Sequence, residues 1–140
     1  MPRILAIDYG SHRIGIAVSD ALGITAQPLE IIQHTNKQKD LDRLGAIIAE
    51  KKVDKIVIGL PVNMDGNEGP IVEHVRRFAA NVEERFKLPV ELYDERLTTM
   101  QAERLLVEEA DMSREKRKGV KDKIAASILL QSYLELNSGK

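Results

Sequence analysis

The chain has 140 residues, 43% of them hydrophobic and 31% charged, with a formal net charge of −1 and no cysteine. This length fits one domain, residues 1–140, with its own core, and is too short for two ordinary ones. Lack of cysteine excludes disulfides and thiolate metal sites, near-neutral charge excludes global attraction to nucleic acid, and no apolar run reaches the roughly 18 residues of a membrane span. Met1-Pro2-Arg3 leads directly into an apolar run and leaves no room for a signal peptide, so a soluble, cytoplasmic protein without membrane contact is expected. His12, His34 and His74 lack metal-ligand spacing and read as surface or turn residues.

Ile4 to Ile7 is a continuous apolar run, the pattern of a strand covered on both faces, and it ends in Asp8. An ionised carboxylate at the centre of a sheet is costly unless a cation or a hydrogen-bond network offsets it. The plainer reading has Asp8 bonding the amides of Gly10 or Ser11 in the following turn. Ile14 to Ser19 alternates large (Ile14, Ile16, Val18) with small (Gly15, Ala17, Ser19), a second strand with one bulky face. Ile24 to Gln33 reads as a third strand, and Pro28 places it at a sheet edge.

Thr35 or Asn36 can cap a helix to about Lys52, with Leu41, Leu44, Ile47 and Ile48 on one face. Lys55 to Leu60 is then a short apolar strand, parallel to the first because a helix separates the two. Pro61 to Gly69, PVNMDGNEG, is a polar loop at the carboxyl end of that strand, where α/β proteins place ligands. Pro70 begins a helix to about Phe86, whose stripe is Ile71, Val75, Phe78, Ala79 and Val82. Pro89 to Tyr93 is the last strand, Thr98 with Gln101 starts a helix to about Glu109, Asp111 to Lys121 reads as a mobile loop, and a final helix runs from about Val120 to Asn137.

Asp122 in that last helix shares a face with Ala125, Ala126 and Leu129, small and apolar residues that let a helix approach a sheet closely. A carboxylate in a first helical turn is also stabilised by the macrodipole alone. Asp94 or Glu95 supplies a further acid at the end of the last strand. Three acids converging on one sheet end repel unless a hard cation joins them. Mg²⁺ or Mn²⁺, as two ions roughly 3.5 to 4 Å apart, suits such oxygen ligands and phosphodiester hydrolysis. This assigns Asp8, Glu95 and Asp122 as catalytic and metal-binding residues.

Four segments, DYGSHRIGIAVSD (8–20), GLPVNMDG (59–66), DERLTT (94–99) and DKIAASILLQ (122–131), carry a resemblance over nearly the whole chain. In this order and spacing the sequence resembles the YqgF (RuvX) family of Holliday-junction-resolvase-like proteins, nucleases for pre-16S rRNA within the ribonuclease H-like superfamily. The resemblance implies an α/β fold with a mixed five-stranded sheet in order 3-2-1-4-5, strands 1 to 3 antiparallel, and helices on both faces. It also implies acidic catalytic positions at Asp8, Glu95 and Asp122. Where many nucleases of the superfamily carry an acid at the end of strand four, this chain has Gly59-Leu60-Pro61. The second carboxylate must then come from the fifth strand or from Asp65 in the loop, and Glu95 is chosen over Asp94, the nearer competitor, and Asp65, the weaker one.

Arg114, Lys116, Arg117, Lys118, Lys121 and Lys123 cluster around Asp122 and can offset several phosphates, although a charge run is often only a solvated segment. Arg13, Asn63 and Arg96 are further candidates for substrate contact, and Gly66 could let the loop backbone approach a strand of nucleic acid. The expected activity is metal-dependent hydrolysis of structured nucleic acid, with 5′-end processing of pre-16S rRNA in ribosome biogenesis as the role that the resemblance implies. Alternatives are a Holliday junction resolvase on four-way DNA, which would need a homodimer, and a non-catalytic RNA- or ribosome-binding module. A sugar-kinase-like or actin-like ATPase shares the opening strand and turn but needs two lobes.

Overall fold

The computed structural model describes residues 3–61, 69–95 and 114–137, with the side chains of 114–123 excepted. The apolar run after Met1 forms β1 (Arg3–Tyr9), and alternation along it sends Leu5 and Ile7 to one face and Ala6 and Asp8 to the other. This split divides the core. β2 (Arg13–Ser19) returns antiparallel beside β1, with Asp8 opposite Gly15, and β3 (Ala26–Gln33) pairs antiparallel with β2. α1 (Lys37–Lys51) crosses over to β4 (Val53–Leu60), parallel to β1, and α2 (Pro70–Phe86) crosses to β5 (Val90–Asp94), parallel to β4. The sheet order is β3-β2-β1-β4-β5, as the resemblance implied. α3 (Arg114–Asn137) follows.

Leu5, Ile7, Ile14, Ile16, Val18, Ile56 and Ile58 pack against Leu41, Leu44 and Ile47 of α1 and Val75, Phe78 and Val82 of α2. Each large aliphatic side chain buried this way contributes about 1.5–3 kcal/mol of hydrophobic stabilisation. The opposite face is built from smaller residues. Ala6, Ala17 and Val57 meet Ala126, Leu129 and Leu130 of α3, with Tyr93 and Tyr133 alongside. Gln131 fixes the helix to the far edge: its Oε1 accepts from the Ala26 amide at 3.0 Å, and its Nε2 donates to the Ile24 carbonyl at 3.3 Å. Within the same interface, the Tyr93 and Ser132 hydroxyls are hydrogen-bonded at 2.9 Å.

Most boundaries fall where sequence places them. Asn36 is the α1 cap, its side chain accepting from the Lys39 amide at 2.9 Å, and α2 spans the expected residues, although Val72 rather than Ile71 is fully buried. β3 is an edge strand, and Leu29, next to Pro28, is an extra residue that breaks its register with β2. It begins at Ala26 because the Asp20 to Thr25 segment is a turn, with Asp20 accepting from the Ile24 amide and the Thr25 hydroxyl.

One expectation is corrected. The segment 114–121 is not a loop but the first turns of α3, which starts at Arg114 rather than near Val120. Arg, Lys and Glu are good helix formers, and one glycine, Gly119, costs only about 1 kcal/mol in a helix that is anchored further on. Lack of apolar periodicity marks an unpacked helix as readily as a loop. Residues 111–113 and the expected helix from Thr98 to Glu109 lie outside the described residues.

Ala126, fully buried between α3 and the sheet, sets how closely the two approach. Ala126→Leu is expected to destabilise the protein by about 1–3 kcal/mol through overpacking, measured by denaturant unfolding. A change within experimental error would show that the interface has slack.

Candidate active site

At the carboxyl end of β1 the sheet row through Asp8 contains two glycines. Gly15 of β2 faces Asp8 directly, and Gly59 follows Ile58 of β4, which faces Ile7 of β1. Gly59 is needed for space. A Cβ there would stand 2.5 Å from Glu95 Oε1 and 3.1 Å from Leu129 Cδ2. Glu95 therefore lies across β4, through the room the glycine leaves, and hydrogen-bonds the carboxyl group of Asp8. Strands β1 and β5 are not neighbours, yet their acids touch.

Two carboxyl groups in contact need one proton between them when no cation is present. Glu95 keeps it. Its carboxyl is pushed up to about 8, first by burial, then by the negative charge of Asp8 and the hydrogen bond to it, and last by the charge of Asp94. Asp94, on β5 opposite Leu60, adds to the field. Gly10's amide donates to the Arg13 carbonyl at 2.9 Å, so the plain turn-capping bond from that amide to Asp8 is not made.

The pair fits a hard divalent cation by its chemistry, since two oxygen donors that now share a proton would present both carboxylates to an ion. Among the described residues no group of three His, Cys, Asp or Glu stands ready to hold a metal. Asp122 lies in α3, one turn before the buried Ala126 and two before Leu129, on the stripe that faces the sheet, while its side chain lies outside the described residues. The structure thus brings Asp8 and Glu95 together and places the backbone of Asp122 on the helix that covers them.

Of the expected substrate contacts, Arg13 lies in β2 paired with Gln33. Arg114, Lys116, Arg117, Lys118 and Lys121 belong to α3. Positions 114, 117, 118 and 121 follow helical spacing, so the supposed basic loop is one basic side of a helix leading to Asp122. Asn63, Asp65, Gly66 and Arg96 lie outside the described residues. Sequence reasoning missed what Gly59 does, although a lone glycine ending an Ile-Val-Ile strand marks a place where another group comes close.

A mixed sheet in this order, with paired acids at the carboxyl end of its central strand, defines an α/β protein of the ribonuclease H-like fold. The structure is similar to Thermus thermophilus RuvC in complex with a Holliday junction substrate, at a TM-score of 0.60 and 15% identity, covering 100% of this chain and 99% of that one. It is also similar to a fowlpox virus resolvase in complex with Holliday junction DNA, at a TM-score of 0.58 and 11% identity, covering 96% and 97% of the two chains. The chain belongs to the RuvX family, described as Holliday junction resolvase, whose model matches residues 2–136. Among its relatives, a Streptococcus gordonii protein named "Putative pre-16S rRNA nuclease" is 56% identical over 137 residues, covering 96% of this chain and 99% of its own. A Leuconostoc citreum protein of the same name is 55% identical, covering 96% of each chain.

The shared proton makes stability depend on pH. Between the ordinary glutamate value near 4.5 and about 8, the folded metal-free protein keeps a proton that the unfolded chain has released. Its stability should fall as pH rises through that window and level off above it. Glu95→Gln should lack this slope, and Gly59→Ala, which displaces Glu95, should weaken it. Chelator-treated protein melted from pH 4.5 to 9 checks both, and a slope that survives Glu95→Gln would assign the proton elsewhere.

Proposed function

We propose that this chain is a metal-dependent nuclease that hydrolyses phosphodiester bonds, acting in the cytoplasm on structured RNA at the 5′ end of pre-16S rRNA. Residues 1–140 act as one catalytic domain. The observation that carries the reading is the Asp8–Glu95 contact across Gly59, because stacking two partly buried acids against each other is costly and fits a cation site. Family membership and the names of the relatives support this reaction and this RNA.

In this reading Asp8, Glu95 and Asp122 hold Mg²⁺ or Mn²⁺, as two ions in the ribonuclease H-like manner. Bound there, the metal activates a water and neutralises charge on the phosphate and the leaving oxygen. The chain's own residues do the rest. Glu95 gives up its proton on loading, so metal affinity rises with pH up to about 8. Asp8, fixed in the central strand, sets the position of the scissile phosphate, and Gly59 keeps the path of Glu95 open. Arg114, Lys116, Arg117, Lys118 and Lys121 on the first turns of α3 attract the phosphate backbone, with Arg13, Asn63 and Arg96 closer to the cut. Only 4% of residues are aromatic, so recognition runs through backbone charge and shape rather than base stacking.

The family's description favours a second reading, cleavage of four-way DNA junctions by a homodimer. Purified protein with Mg²⁺ or Mn²⁺ should cut a precursor-rRNA fragment in preference to duplex DNA and four-way junctions. Asp8→Asn should abolish cleavage without lowering the melting temperature. Arg117→Ala with Lys118→Ala should weaken binding and reduce the salt slope by about 1 per residue removed. Preference for junctions would move the assignment to DNA. Binding that survives chelator, with no cleavage under any divalent ion, would leave a binding module.

A further inference from the structure

On the far side of the sheet from the carboxylate pair, the half-buried His34 and the buried Asp40 form a polar cluster that the reaction does not use. Asp40 is only 6% exposed although it sits on the apolar stripe of α1, four residues before Leu44 and seven before Ile47. Its Oδ2 lies 2.8 Å from His34 Nδ1, and its Oδ1 accepts from the amide and hydroxyl of Thr35 at 3.2 and 3.3 Å. The other ring nitrogen, Nε2, donates to the Gly10 carbonyl at 2.8 Å, and the His34 amide donates to the His12 carbonyl at 3.1 Å. The Gly10 carbonyl only accepts, so Nε2 carries a proton, and the Asp40 carboxyl group fixes the ring through Nδ1.

These contacts all fall on the turn that follows Asp8. Tyr9, pointing to the face opposite Asp8, is held between the His34 ring at 5.2 Å and the Phe78 ring at 4.6 Å. Gly10 is closed in by the turn itself, since a Cβ there would stand 2.8 Å from the Arg13 carbonyl oxygen. One residue therefore ties the turn to the start of α1, its ring holding Tyr9 and Gly10 and its backbone amide holding His12. Strand alternation puts Asp8 on the other side of the sheet, so His34 cannot exchange protons with it directly.

We infer that His34, oriented by the buried Asp40, is a positioning residue that locks the β1–β2 turn and so holds the Asp8 carboxylate in register with Glu95. The inference rests on the nuclease reading for the role of Asp8, and on the turn geometry alone for the locking. Partners that bond a metal ligand directly typically carry roughly 10–100-fold in metal affinity or activity, and His34 acts one link further out, on the backbone of the turn beside Asp8, so its effect should lie at the lower end.

The test compares His34→Ala and Asp40→Asn with wild type by amide exchange at Gly10, Mn²⁺ titration and cleavage kinetics. His34→Ala should speed Gly10 exchange, weaken Mn²⁺ binding about tenfold and lower kcat with little change in KM. Asp40→Asn should stay near wild type, because the new amide can donate to Nδ1 and still accept from Thr35, leaving the Nε2 bond to Gly10 in place. His34→Gln, which reaches Gly10 but not both partners, replaces His34→Ala if that variant does not fold. Unchanged Gly10 exchange and Mn²⁺ affinity in the His34 variant would overturn the proposal, as would an Asp40→Asn defect as large as that of His34→Ala. If wild type itself binds no Mn²⁺, the nuclease reading fails and Gly10 exchange alone decides whether His34 locks the turn.

Discussion

Two acids, one in β1 and one just past the end of β5, come into contact because β4 between them carries a residue without a side chain, Gly59, one position before its end. With any larger residue at position 59, Glu95 would be forced away from Asp8 and β4 would screen one from the other. The energetic cost of that contact is carried by a proton on Glu95. The rest of the fold serves this one meeting: a central strand that presents Asp8, a parallel neighbour that leaves the gap, and an outer strand that delivers the second acid over the top.

The two faces of the sheet divide the work. The face under α1 and α2 carries the bulky aliphatic residues and supplies most of the apolar burial. The face under α3 is built from alanine and valine at its centre, and that small-residue packing brings the helix close enough for Leu129 to stand beside Gly59 and Glu95. Gln131 and Ser132 then fix the helix by hydrogen bonds to β3 and β5, one strand on each flank. Stability and chemistry are thus placed on opposite sides of a single layer.

The strand order, the edge position of β3, the crossovers and the extent of α2 were legible because each rests on a local signal: alternation, a proline that cannot donate, or an apolar stripe with a proline at its start. Asp8 was legible as a charge misplaced in an apolar strand, whereas Glu95 stood out only as one of two acids closing the last strand, and nothing in its local pattern says that it reaches back across β4. Two features were not. The amino-terminal turns of α3 carry no apolar stripe in their sequence, so nothing in their pattern separates them from a solvated loop. Asp40 could have been found, since it stands where Leu or Ile is expected in the α1 stripe, but its partner His34 precedes the helix and is recognisable only once the hairpin turn folds beside it.

The bulge at Leu29 beside Pro28 has a consequence for assembly. It kinks the outer hydrogen-bonding ladder of β3 and removes a donor from it, so a second copy cannot simply extend the sheet across that border. Strand pairing between copies is thereby steered away from this border, which leaves β5 as the flatter edge of the sheet. The same irregularity guards the β3 side against the strand-to-strand stacking by which flat-edged sheets grow into aggregates.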